Sequence, residues 1–207
     1  MERWRVGSAS WTNTDDIGSA TTLDTGLDGV VQWGRWANGT LAGNDGFALN
    51  VKQGFHYAIG SVTPTLPANA TQEYVLSGAT AVTVGDGSVE PGVATAAATA
   101  AFGATTKLGV AIGLTIGNVV YALTSTGGVV TPATSEITAW DATHPARLGG
   151  VPPKPTTGIC ADGCGVSVQG FFAGANAAQL ALVVHLFDGN GGSSTSISSV
   201  IVMKKKP

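Results

Sequence analysis

The chain has 207 residues, with 30 glycines, nine prolines, 11% charged residues and a formal net charge of −3. That length suits one sizeable domain and is short for two, and the scarcity of helix formers beside abundant Gly, Thr, Ser and Val argues for many short strands joined by turns. Without Lys204, Lys205 and Lys206, seven basic residues face thirteen acidic ones, a balance of −6 that excludes a nucleic-acid footprint; the Lys run itself reads as a solvated end that blunts an edge strand.

Residues 1–28 are rich in Ser, Thr, Asp and Gly, with isolated Trp4 and Trp11, and hold no period. They read as an irregular arm or the tail of a preceding domain, which leaves 29–207 as the β domain. No apolar core follows the opening MERWRVGSASW as a signal peptide requires, so the sequence reads as a cytosolic chain or a piece of a longer precursor. Val30 to Trp36 is a strand that sets Trp33 and Arg35 opposite Gln32, Gly34 and Trp36, and Asn38 with Gly39 gives a turn. Trp33 and Trp36 read as core or rim anchors, with a ligand-stacking platform as the alternative. Phe55 to Gly60 is a second strand, His56 lying opposite Phe55, Tyr57 and Ile59. The prolines of TPTLPANAT make a connection; Tyr74 to Ser77 is a third strand, 85–87 a loop, and Val93 to Phe102 a strand despite its alanines.

Lys107 to Ser125 organises the rest. Leu108, Val110, Ile112, Leu114 and Ile116 alternate with Lys107, Gly109, Ala111, Gly113 and Thr115, the period of a half-buried strand. Gly117 and Asn118 can both take positive φ, as a two-residue hairpin requires, and Val119, Tyr121 and Leu123 form the second arm. A spanning helix is the rival, since Gly109, Gly113 and Gly117 stand at GxxxG spacing. Each glycine costs a helix roughly 1 kcal/mol, and the apolar run is diluted from Thr124 onward, so the hairpin is preferred.

From Thr126 to Gly165 the chain reads as a long irregular connection with Pro132, Pro145, Pro152, Pro153 and Pro155; connections of this length are commonly functional. Its exposed candidates for a binding contact are Trp140, His144 and Arg147. Cys160 and Cys164, in CADGC, have no second Cys or His pair at metal-ligand spacing. A small local disulfide and an oxidising compartment are expected, with a free thiol pair as the alternative. Val166 to Phe172, Gln179 to Phe187 and Ile197 to Met203 are the closing strands. The expected class is all-β: an antiparallel up-and-down barrel of about eight strands, or a sandwich, closure being favoured because it leaves no bare edge.

No nucleophile elbow, HExxH helix, P-loop or paired-carboxylate segment is present, so no catalytic residue is assigned and an enzyme is not expected. DGNGG at 188–192 offers too few acids for calcium, and no metal site is assigned. Haem is the alternative to a chain without cofactor, with His56, His144 and His185 as candidate axial ligands.

WGRWANG at 33–39, FHYAIG at 55–60, TPTLPANATQEYVLSGAT at 63–80 and GVSVQGFFAGANAAQLALVVHL at 165–186 together resemble the β-barrel domain of transferrin-binding protein B-like proteins. Similar barrels occur at the C-terminal ends of some FecR-type envelope proteins. The resemblance covers roughly residues 29–204 and implies an eight-stranded antiparallel barrel displayed in the periplasm, at the outer-membrane surface or outside the cell. It implies a protein partner met through loops, with iron acquisition or a self-associating structural role as alternatives. Nucleic acid is not implied, and membrane attachment would come through an anchor or neighbouring domain.

Overall fold

The computed structural model describes residues 17–42, 47–125, 127–131, 136–139, 150–151, 159–160, 163–188 and 196–207. Its strands are β1 (Thr21–Asp28), β2 (Val31–Ala37), β3 (Gly39–Thr40), β4 (Ala48–Leu49), β5 (Phe55–Gly60), β6 (Ala70–Ala79), β7 (Thr83–Val84) and β8 (Val93–Phe102). They continue with β9 (Thr106–Ile116), β10 (Val119–Ser125), β11 (Gly128–Thr131), β12 (Glu136–Ala139), β13 (Gly150–Val151), β14 (Cys164–Ala173), β15 (Gln179–Asp188) and β16 (Ile197–Lys205).

The main sheet is a curled antiparallel meander. From β6 the ladder runs through β8 to β9, which pairs with β10 along one half and β11 along the other. On its other side β6 meets β16, followed by β15, β14 and β12, so the first strand of the meander pairs with the last. This is the connectivity of an up-and-down barrel, and the expected all-β class holds. Among the described residues no ladder joins β11 to β12, so the sheet is an open, curled half barrel rather than a hydrogen-bonded cylinder.

Alternation decides what lies inside. Leu108, Val110, Ile112, Leu114 and Ile116 of β9 are all buried, facing Leu180, Leu182, Val184 and Leu186 of β15 and Ile201 and Met203 of β16 in one core. The organising stretch is therefore a hairpin, and among the described residues no helix is long and apolar enough to cross a membrane. Ile116 pairs directly with Val119; Gly117 takes φ +55°, while Asn118 does not take positive φ. Tyr74 fills the core near one end of the sheet. Its hydroxyl lies 2.8 Å from the Ala177 carbonyl and 2.9 Å from Gln72 Oε1, and burial pushes its pKa up.

Two stretches depart from the sequence reading. Residues 21–28, read as part of an arm, form β1, an edge strand paired with β2. Its register shifts between Leu23 and Gly26, with Asp24 at φ +52°, and that irregularity hides its period. Within 126–165, read as irregular, β11 and β12 belong to the main sheet; at four residues each they are too short to show a period.

β1, β2 and β5 make a separate three-stranded sheet that lies on the convex side of β14, β15 and β16. Val31, Trp33 and Ala58 bury against Phe171, Ala173, Ala181, Val183, Val200 and Val202. Gly26 and Gly78 make room for the Trp33 indole, since a Cβ at either position would collide with its ring.

Candidate binding surface

The small sheet is fixed to the barrel by polar ties as well as by apolar burial. Arg35, 3% exposed, donates from Nε to Asp24 at 2.7 Å and from Nη1 to the Val51 and Gln53 carbonyls. Asp24 also accepts the Ala81 amide at 3.1 Å, joining the sheet to the segment after β6. Gln53 donates to the Gly85 carbonyl, and Lys52 pairs with Glu90. His56, 1% exposed, has Nδ1 and Nε2 each 2.7 Å from a threonine hydroxyl, Thr80 and Thr83. A charge or imidazole so tied positions elements; in this arrangement neither ring nitrogen of His56 is presented to haem iron.

The opposite face of the small sheet has two halves. Trp36 stacks on Phe55 with ring centroids 5.4 Å apart and lies 5.2 Å from Tyr57, under Leu41 and Leu49 of the β3–β4 region. Burial raises the Tyr57 pKa, and a hydrogen bond from Trp36 partly offsets the rise. Trp33 and Trp36 are thus anchors, as the plainer reading held. Beyond this cluster Leu27, Gln32 and Ile59 stand in register across the three strands, with Leu27 72% and Ile59 64% exposed. These two apolar side chains flanking Gln32 on a braced sheet are the clearest candidate contact surface among the described residues.

The other sequence-assigned residues fall elsewhere. Cys160 and Cys164 form the expected disulfide, with Cα atoms 4.9 Å apart, where β14 begins, and the Ile159 amide donates to the Tyr121 hydroxyl. Burial raises the Tyr121 pKa, and that hydrogen bond partly offsets the rise. His185, on the convex side, has Nδ1 3.0 Å from the Ser198 hydroxyl and stacks on Phe187. Trp140, His144 and Arg147 lie outside the described residues. Leu27 escaped the sequence reading because it sits in the stretch taken as an arm; Ile59 was visible as the end of a wholly bulky face, Phe55, Tyr57 and Ile59.

Neither family models nor curated protein sequences match the chain. Among solved structures, the isotype 1 transferrin binding protein B (TbpB) of serogroup B Neisseria meningitidis superposes over 94% of this chain with a TM-score of 0.50 at 14% identity. The fold is that of a TbpB-like β-barrel domain. TbpB variants from Actinobacillus pleuropneumoniae H49 (91% of this chain, 81% of that one, TM-score 0.40, 12% identity) and Haemophilus parasuis Hp5 (92% and 38%, TM-score 0.37, 14% identity) are similar more distantly. The chain spans 36% of the length of the Neisseria TbpB, so the likeness concerns a TbpB-like part and not a whole protein.

Proposed function

We propose that the chain is a non-enzymatic binding module of a bacterial cell envelope that holds another protein. The observation that carries this reading is the TbpB-like fold over nearly the whole chain, since the neighbour that shares it is named for binding transferrin. Exposed apolar side chains, Leu27 and Ile59, on a braced sheet support a protein partner. The contact comprises the segment 126–165, with Trp140, His144 and Arg147, and the Leu27–Ile59 row; the compartment is the periplasm, outer-membrane surface or exterior, in keeping with the disulfide.

Titrating immobilised chain with transferrin and, in parallel, with fractionated envelope proteins tests this. The expected result is saturable binding of one protein, weakened at least about tenfold by alanines at Trp140, His144 and Arg147 or by Leu27→Asp with Ile59→Asp. Absence of any saturable partner, or binding indifferent to both sets of substitutions, would overturn the proposal.

A further inference from the structure

Six basic residues lie among the described ones; Arg35 is buried on Asp24, and Lys52 pairs with Glu90. The other four, Lys107, Lys204, Lys205 and Lys206, are all exposed and stand at one end of the curled sheet. The register fixes this. Lys205 pairs with Tyr74 and Lys204 with Val75 at the start of β6, the Lys206 amide donates to the Glu73 carbonyl, and β8 carries the row across to Lys107, which pairs with Ala101. Three acidic residues stand at the same end: Glu73, 3.0 Å from Lys206 Nζ; Asp28 at the β1–β2 turn, whose neighbour Gly29 rests against Gln179; and Glu136, which opens β12 and pairs with Phe171 near the end of β14. Asp86, Glu90 and the last residue of β15, Asp188, belong to the other end, where the disulfide lies.

We infer that the lysine end meets an anionic lipid surface and turns the disulfide end, with the connections leaving Ala139 and Asp188, away from it. The charges are spread over the ends of β16, β6, β8 and β9, about 14 Å at the usual strand spacing, a span that suits a broad surface; Lys206 with Glu73 also lines an open cavity beside Thr99 and Gly109. Lysines are point charges without the planar fork that reads a single carboxylate or phosphate, and they match a diffuse layer of headgroups. The aromatic side chains at this end, Tyr74, Phe102 and Phe172, are buried in the core, so among the described residues no stacking platform for a single-stranded nucleic acid is presented here. In a chain whose overall charge is −3, such segregation orients the molecule even where the attraction is modest.

Co-sedimentation of the whole chain with vesicles tests it, comparing phosphatidylcholine alone with an equal mixture of phosphatidylcholine and phosphatidylglycerol. Binding is expected only to the anionic vesicles at low salt and is expected to vanish near ~0.5 M salt. Lys107→Glu with Lys204→Glu and Lys205→Glu should reduce it by at least about tenfold, while Lys52→Gln at the other end leaves it unchanged; thermal melting confirms that both variants fold. No binding at low salt, equal binding to neutral vesicles, or an undiminished triple variant would overturn the inference, as would retention on heparin without retention on vesicles.

Discussion

The convex side of the curled sheet carries two surfaces that differ in what their outward residues have become. Over β14, β15 and β16 those residues are Phe171, Val183, Val200 and Val202, and the three-stranded sheet covers them. Over β8, β9 and β10 they are mostly small or polar, Thr95, Ala97, Ala111, Ala122 and Thr124, with Val93 and Val120 at one edge, and they are exposed. Both surfaces continue strands whose other side faces one core, so strand period alone cannot tell them apart. Side-chain size does: a bulky β-branched outward face needs a partner layer, and an Ala/Thr face does not.

The largest effect is expected where the covered surface is tightest. Gly78→Val would drive a side chain into the Trp33 ring and pry the small sheet from the barrel, costing roughly 3 kcal/mol or more in urea unfolding, with a change in Trp fluorescence. Asp24→Ala leaves the Arg35 guanidinium without its carboxylate and the Ala81 amide without its acceptor. Because Asp24 is partly exposed, about 2 kcal/mol is expected, measured the same way.

Tyr74→Phe tests the inside of the barrel and should cost about 1–2 kcal/mol by removing the hydroxyl from Ala177 and Gln72. The same residue sets an alkaline limit. Its folded pKa is raised, so the unfolded chain loses the phenolic proton first; the contribution is intact below the ordinary value of 10.0 and declines as pH rises past it. Melting temperatures above about pH 10 should therefore fall less steeply in the Phe variant, with Tyr57 and Tyr121 supplying the remaining slope. On the open surface, Ala111→Thr or Thr99→Val should change stability by no more than about 0.5 kcal/mol, a contrast with Gly78 that the bare face requires.

Much of the barrel was legible because its strands are long and strictly alternating: β9, β14 and β15 announce themselves through five or so like-sided residues. What stayed hidden was local or relational. β1 is polar, bulged and at an edge, and β11 and β12 are too short for a period, so tertiary pairing defines them. That Val183, Val200 and Val202 face a second sheet could be suspected from their bulk, but which segment covers them could not. Arg35 and His56 gave no sequence signal for their structural role, because their partners Asp24, Thr80 and Thr83 are distant along the chain. The Leu27–Gln32–Ile59 row exists only through the register of three strands.

Amide hydrogen exchange tests most directly whether the small sheet and the curled sheet form one braced unit that presents this row. Protection at Trp33 and Ala58 in β2 and β5 should match that at Leu182 and Val200 in β15 and β16. Exchange at Trp33 and Ala58 many-fold faster than in β15 and β16 would mean the small sheet opens by itself, and would contradict the account.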